Sequence, residues 1–66
     1  MKVNFTIRTK RTAMPKGISL VITGQAEFPK EMTRAGLIQE LKEYGSSRFV
    51  YKGYNLSTDC INVKLG

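Results

Sequence analysis

The chain of 66 residues has no histidine, no tryptophan, one cysteine, two prolines and five acidic residues. Each scarcity removes a class of function. Without histidine, the commonest general base and the commonest metal ligand are gone. Cys60 is alone, so it can form neither an internal disulfide nor a thiolate cluster for zinc. That leaves the core without a covalent or metallic staple, and it suits a reducing compartment. No apolar run approaches the roughly 18 residues of a membrane span, and the opening Met1-Lys2-Val3-Asn4 lacks the apolar stretch of a secretory signal. The expectation is a soluble, cytoplasmic protein with no membrane partner. It should be a single domain over residues 1–66, small enough that folding removes only about 60 % of its unfolded surface from water.

The residues that remain offer little to catalysis. Ser46 and Ser47 have no base to activate them, and Cys60 stands before Ile61 in a strand-like run where a small packed residue is the plain reading. Glu40 and Glu43 are three apart, a spacing that puts both on one side of a helix, where carboxylates ordinarily just face solvent. Lys16-Gly17 and Gly24 are isolated and build no glycine-rich phosphate loop ahead of a helix. The expectation is therefore a protein that works by binding, with no catalytic residue, no metal site and no cofactor.

What the chain does have is positive charge: eleven Lys and Arg give a net +6, and the excess is uneven. Residues 1–26 carry Lys2, Arg8, Lys10, Arg11 and Lys16 with no acid, whereas residues 27–43 hold four of the five acids. A basic end of this kind favours a polyanionic partner.

Val3, Phe5 and Ile7 alternate with Asn4, Thr6 and Arg8, which predicts a half-buried strand over residues 2–12. Ala13-Met14-Pro15-Lys16-Gly17 is a turn signal, and Ile18 to Phe28 reads as a second strand with Ile18, Leu20 and Ile22 inward. Opposed residues of an antiparallel pair share a face, so a short loop over Ala13 to Lys16 sets Ile7 opposite Ile22, Phe5 opposite Gly24 and Arg8 opposite Val21. The period then changes. Leu37, Ile38, Leu41 and Tyr44 recur at three and four, an amphipathic helix with Thr33 as N-cap, Met32 stapling onto Leu37, and Gly45 as the left-handed stop. Arg48 to Lys52 and Asp59 to Leu65 resume alternation as two further strands joined by a loop over 53–58.

The order is ββαββ, an α+β chain in which one helix covers one face of a four-stranded sheet. With the first and last strands as a parallel central pair, the arrangement is similar to the β-grasp topology. The core set is Phe5, Ile7, Leu20, Ile22, Leu37, Leu41, Phe49, Ile61 and Val63.

Three features suit binding. The first is the open sheet face, expected to carry Asn4, Thr6, Arg8, Lys10, Ser19, Thr23, Gln25, Arg48, Lys52 and Lys64, although any antiparallel sheet has one solvated side. With no aromatic residue expected there, duplex DNA is favoured over single strands, whose bases need stacking platforms. The second is the hairpin tip, where Arg11 and Lys16 flank an apolar Met14-Pro15. The third is the strand from Ile18 to Gln25, which has no charge and no proline. Placed at a sheet edge, it would offer Ile18, Leu20, Val21, Thr23 and Gln25 to a partner's strand or to a second copy, and a symmetric homodimer through this strand is the expectation. The resulting expectation is a small nucleic-acid-binding accessory protein acting through Arg8, Lys10, Arg11, Lys16, Arg48, Lys52 and Lys64; the alternative is a protein-binding adaptor or inhibitor acting through the strand edge.

Overall fold

In the computed structural model, which describes residues 1–66 throughout, the first alternating segment forms strand β1 (Lys2–Thr9). It pairs antiparallel with β2 (Val21–Glu27) in the register read from the sequence: Ile7 meets Ile22, Phe5 meets Gly24 and Arg8 meets Val21. Odd positions of β1 point inward and become buried, even positions face solvent, and one helix, α1 (Arg34–Arg48), packs on the inner side.

Helix α1 begins where its cap dictates. The Thr33 hydroxyl accepts a hydrogen bond from the Gly36 amide at 3.0 Å, satisfying one of the first-turn donors that have no partner within the helix. The far end departs from expectation. Gly45 does not stop the helix but lies inside it, and Phe49 caps it by donating its amide to the Gly45 carbonyl at 2.7 Å. Gly45 serves close approach instead. A Cβ there would stand 2.7 Å from Ile7 Cγ2 and 3.3 Å from Ile61 Cδ1, so the helix backbone rests directly on these two side chains, the most deeply buried of the core.

This change propagates into the topology. The expected four-stranded, β-grasp-like sheet is not formed: there is a three-stranded sheet in the order β2-β1-β5 and a separate two-stranded ribbon, β3 (Val50–Tyr51) with β4 (Tyr54–Asn55). Nor are the first and last strands parallel. β5 (Ile61–Leu65) runs antiparallel to β1, with Ile7 opposite Val63 and Thr9 opposite Ile61.

The reason is chain length. Because α1 continues to Arg48, it spans about 22 Å, close to the roughly 23 Å of seven-residue β2. One helix therefore returns the chain to the end from which β2 started. Val50 to Asn55 does not enter the sheet; it folds back on itself at a turn with positive φ at both Lys52 (55°) and Gly53 (82°). The next strand, β5, consequently runs parallel to β2 on the other side of β1.

The ribbon is latched to the end of the helix. Asn55 Nδ2 donates to the Ser46 and Ser47 carbonyls, and Ser46 Oγ donates to the Leu56 carbonyl, so last-turn oxygens that lack helical partners find them here. Phe5, Ile7, Leu37, Leu41, Phe49 and Ile61 form the buried cluster, with Leu20, Ile22 and Val63 packed half-buried against it.

Only nine residues are buried, so each core contact is a large share of a small stability. Leu41→Ala should cost about 2–5 kcal/mol, read as a lowered denaturant midpoint. Gly45→Ala tests the close approach. Alanine is the better helix former by about 1 kcal/mol, yet overpacking costs about 1–3 kcal/mol, so net destabilisation is expected. A rise in the midpoint would show that the helix can lift off Ile7.

Candidate nucleic-acid interface and strand edge

Alternation along the three strands places Lys2, Asn4, Thr6 and Arg8 of β1, Val21, Thr23, Gln25 and Glu27 of β2, and Asn62 and Lys64 of β5 on the face away from the helix. Arg8 lies opposite Asn62 and Thr6 opposite Lys64, so the two cations are diagonal neighbours. Together with Thr6 and Asn62 they rim a shallow depression of about 320 Å³. Gln25 Nε2 donates to Asn4 Oδ1 at 2.8 Å across the β1–β2 pair, which holds both amides in fixed orientation. The face has one carboxylate, Glu27, and the N-terminal amine lies 3.1 Å from it in the chain's one ion pair.

Four residues expected on this face lie outside its strands. Arg48 belongs to the last helical turn, its guanidinium 5.3 Å from the Tyr44 ring centroid. Lys52 is at the ribbon turn, its amine 5.4 Å from the Tyr51 ring. Arg48 to Lys52, expected as one strand of the main sheet, instead ends the helix and opens the separate ribbon. Ser19 lies outside β2, in the loop before it. Lys10 follows Arg8 just beyond β1, half-buried, with its amide bonded to the Cys60 carbonyl at 2.8 Å.

The hairpin tip is also partly revised. Arg11 and Lys16 do come together around a depression with Pro15, Gly17 and Ile18, but Met14 turns inward and is 6 % exposed. The exposed Met14-Pro15 wedge is therefore not formed, and the apolar surface between the cations comes from Pro15 and Ile18 instead.

Strand β2 is an edge of the sheet, and its free groups can be assigned. Thr9 donates its amide to the Leu20 carbonyl, Phe28 donates its amide to the Met1 carbonyl, and pairing alternates between these ends. Backbone groups of Leu20, Ile22, Gly24 and Ala26 thus face β1, while those of Val21, Thr23, Gln25 and Glu27 point away from the sheet. Leu20 is doubly engaged, since the buried Thr9 hydroxyl accepts its amide at 3.0 Å. Of the residues expected to form the edge, then, Val21, Thr23 and Gln25 present free backbone, Leu20 does not, and Ile18 is exposed but outside the strand.

A further element was not anticipated. Helix α1 lies close to β5 and β1 and stands off β2, which leaves an apolar cleft of about 300 Å³ lined by Phe5, Gln25, Ala26, Phe28, Glu40, Leu41 and Tyr44. Its signal in the sequence was Gly45: a helix whose inward positions are Leu37, Leu41 and Gly45 leans on the strands beneath the glycine. Tyr54 of the ribbon is the other unanticipated exposure, at 79 %. No helix is long and apolar enough to cross a membrane, and no three His, Cys, Asp or Glu side chains gather in a metal-binding group.

The assignment of amide directions predicts an asymmetry between neighbours. Val21→Pro removes an outward amide and should leave the fold intact by circular dichroism, whereas Ile22→Pro removes a bond to β1 and should unfold the domain or lower its midpoint severely. Equal tolerance of both would reverse the assignment. Comparison with known proteins finds no matching family model, and no curated protein or solved structure similar enough to count as a match.

Proposed function

We propose that the protein binds nucleic acid through the open face of its three-stranded sheet, duplex DNA in preference to single strands. The observation that supports this best is the diagonal pair Arg8 and Lys64 flanking Thr6 and Asn62 across β1 and β5. Two cations beside a hydroxyl and an amide combine phosphate neutralisation with donors and acceptors for base edges. Lys2 extends the positive charge along β1, and the oriented Asn4–Gln25 pair adds forked groups of the kind that recognise adenine edges.

The chemistry of the face favours duplex over single-stranded nucleic acid. No Phe, Tyr or Trp lies among its outward residues, so unstacked bases have no platform there, whereas a sheet surface can lie along a major groove. Arg11 and Lys16 at the hairpin tip lie beyond the end of the sheet and extend the cationic surface. Arg48 and Lys52 have no part in this reading, since each is occupied with a tyrosine ring away from the face.

The test is retention on duplex DNA across a salt gradient. Arg8→Ala and Lys64→Ala should each weaken binding and flatten the salt slope by roughly one unit per lost phosphate contact. Lys42→Ala on the helix, and Lys52→Asn, which suits the left-handed turn, should bind like the parent chain. Equal losses from Lys42→Ala and Arg8→Ala, or no retention at low salt, would remove the sheet face as the interface.

A further inference from the structure

A second surface lies at right angles to the basic face and has different chemistry. Along β2 from Val21 to Ala26 there is no charge and no proline, the two devices that most often guard an edge, while the opposite edge strand β5 carries Lys64. The outward amides and carbonyls of Val21, Thr23 and Gln25 are a template for another strand. Any strand added there would point alternate side chains to the inner side of the sheet, the side of Ile22, Gly24 and Ala26, where the cleft between β2 and α1 opens.

The cleft states what those side chains should be. Phe5, Ala26, Phe28, Leu41 and Tyr44 make its walls apolar, and Glu40 is its one charged lining residue, without an ion-pair partner. In a chain of net +6 this is a local reversal of sign. We infer that β2 and the α1 cleft together bind an extended segment of another protein, one that adds a strand to the β2 edge, places an apolar side chain in the cleft and sets a Lys or Arg, an even number of residues away, against Glu40.

A second copy of this chain fits the cleft poorly. Its own β2 would bring Ile22, Gly24 and Ala26 to the inner side, two of them too small to fill the space, and it has no cation for Glu40. The strand template consists of the outward backbone of Val21, Thr23 and Gln25 with the cleft beside it and does not involve the β1 and β5 cations Arg8 and Lys64, so the loss of either activity on substitution can be read separately from the other.

The test uses the full chain and synthetic extended peptides in which threonine alternates with inner-facing residues. One peptide carries Leu, Arg and Val at the inner positions; the others move Arg along these positions or replace it with Glu. Affinity is read by fluorescence anisotropy and the site by amide chemical shifts. At least one Arg peptide should bind, with shifts at Val21, Thr23, Gln25 and Tyr44 and none at Arg8 or Lys64. Its Glu counterpart should bind at least tenfold more weakly, and Glu40→Arg should invert that preference. Methylating peptide amides at alternate positions should abolish binding in one phase and spare it in the other, which tests strand addition without altering the protein. Failure of every peptide, an unchanged preference in Glu40→Arg, or shifts at Thr6, Arg8, Asn62 and Lys64 with none along β2 or at Tyr44 would each overturn the proposal. So would a concentration-dependent dimer in sedimentation that excludes the peptides, because the edge would then belong to a second copy.

Discussion

The helix lies where Gly45 lets it lie. At that position the helix backbone comes down onto Ile7 of β1 and Ile61 of β5, the two side chains with no exposed surface, and a single Cβ would close the distance to 2.7 Å. Interiors pack at crystal-like density, so a contact this close fixes the lateral position of the helix as well as its height. The helix is held over two strands of a three-stranded sheet, and the third strand is left partly uncovered. The cleft beside β2 lies on the side of the sheet that the helix leaves uncovered.

The same residue marks the limit of what could be read from the sequence. The β1–β2 register was legible because two alternating apolar sets and a loop of known length admit few pairings, and a slip of one residue would have turned Phe5 and Ile7 to solvent. The cap at Thr33 was legible because its chemistry is local. Gly45 was not, because a glycine near the end of an apolar stripe has two uses, a left-handed stop and a close approach, and periodicity does not distinguish them. Only the packing of Ile7 and Ile61, both distant in sequence, against the glycine decides the matter.

The departures in the second half of the chain share that origin, whereas the inward turn of Met14 and the late start of β2 at Val21 belong to the hairpin loop. Ending the helix at Gly45 freed Arg48 to Lys52 to be read as a sheet strand, and that strand carried Arg48 and Lys52 onto the open face and reversed the last strand. The residues whose placement depended on β1 alone or on its pairing, Arg8, Thr6 and Gln25, stayed where alternation put them. Lys64 did so as well, although its strand changed direction, since parity along a strand sets the face and direction does not. Arg8, Thr6 and Lys64 therefore share one face as alternation predicts, while Arg48 and Lys52 lie off it.

A three-stranded sheet is the smallest in which one strand has both neighbours. In β1 the odd residues bond to β2 and the even residues to β5, so its backbone is satisfied, while each outer strand uses only alternate groups. A chain of 66 residues with nine buried positions has no spare element to cover both edges. Lysine on β5 guards one of them by making it costly to desolvate. The other runs uncharged from Val21 to Ala26 beside an apolar cleft, and the unfilled half of the sheet's inner face lies on that same side because Gly45 draws the helix toward Ile61. The helix packs against β5 and β1, so the space on the sheet's inner face opens beside β2 and not beside β5.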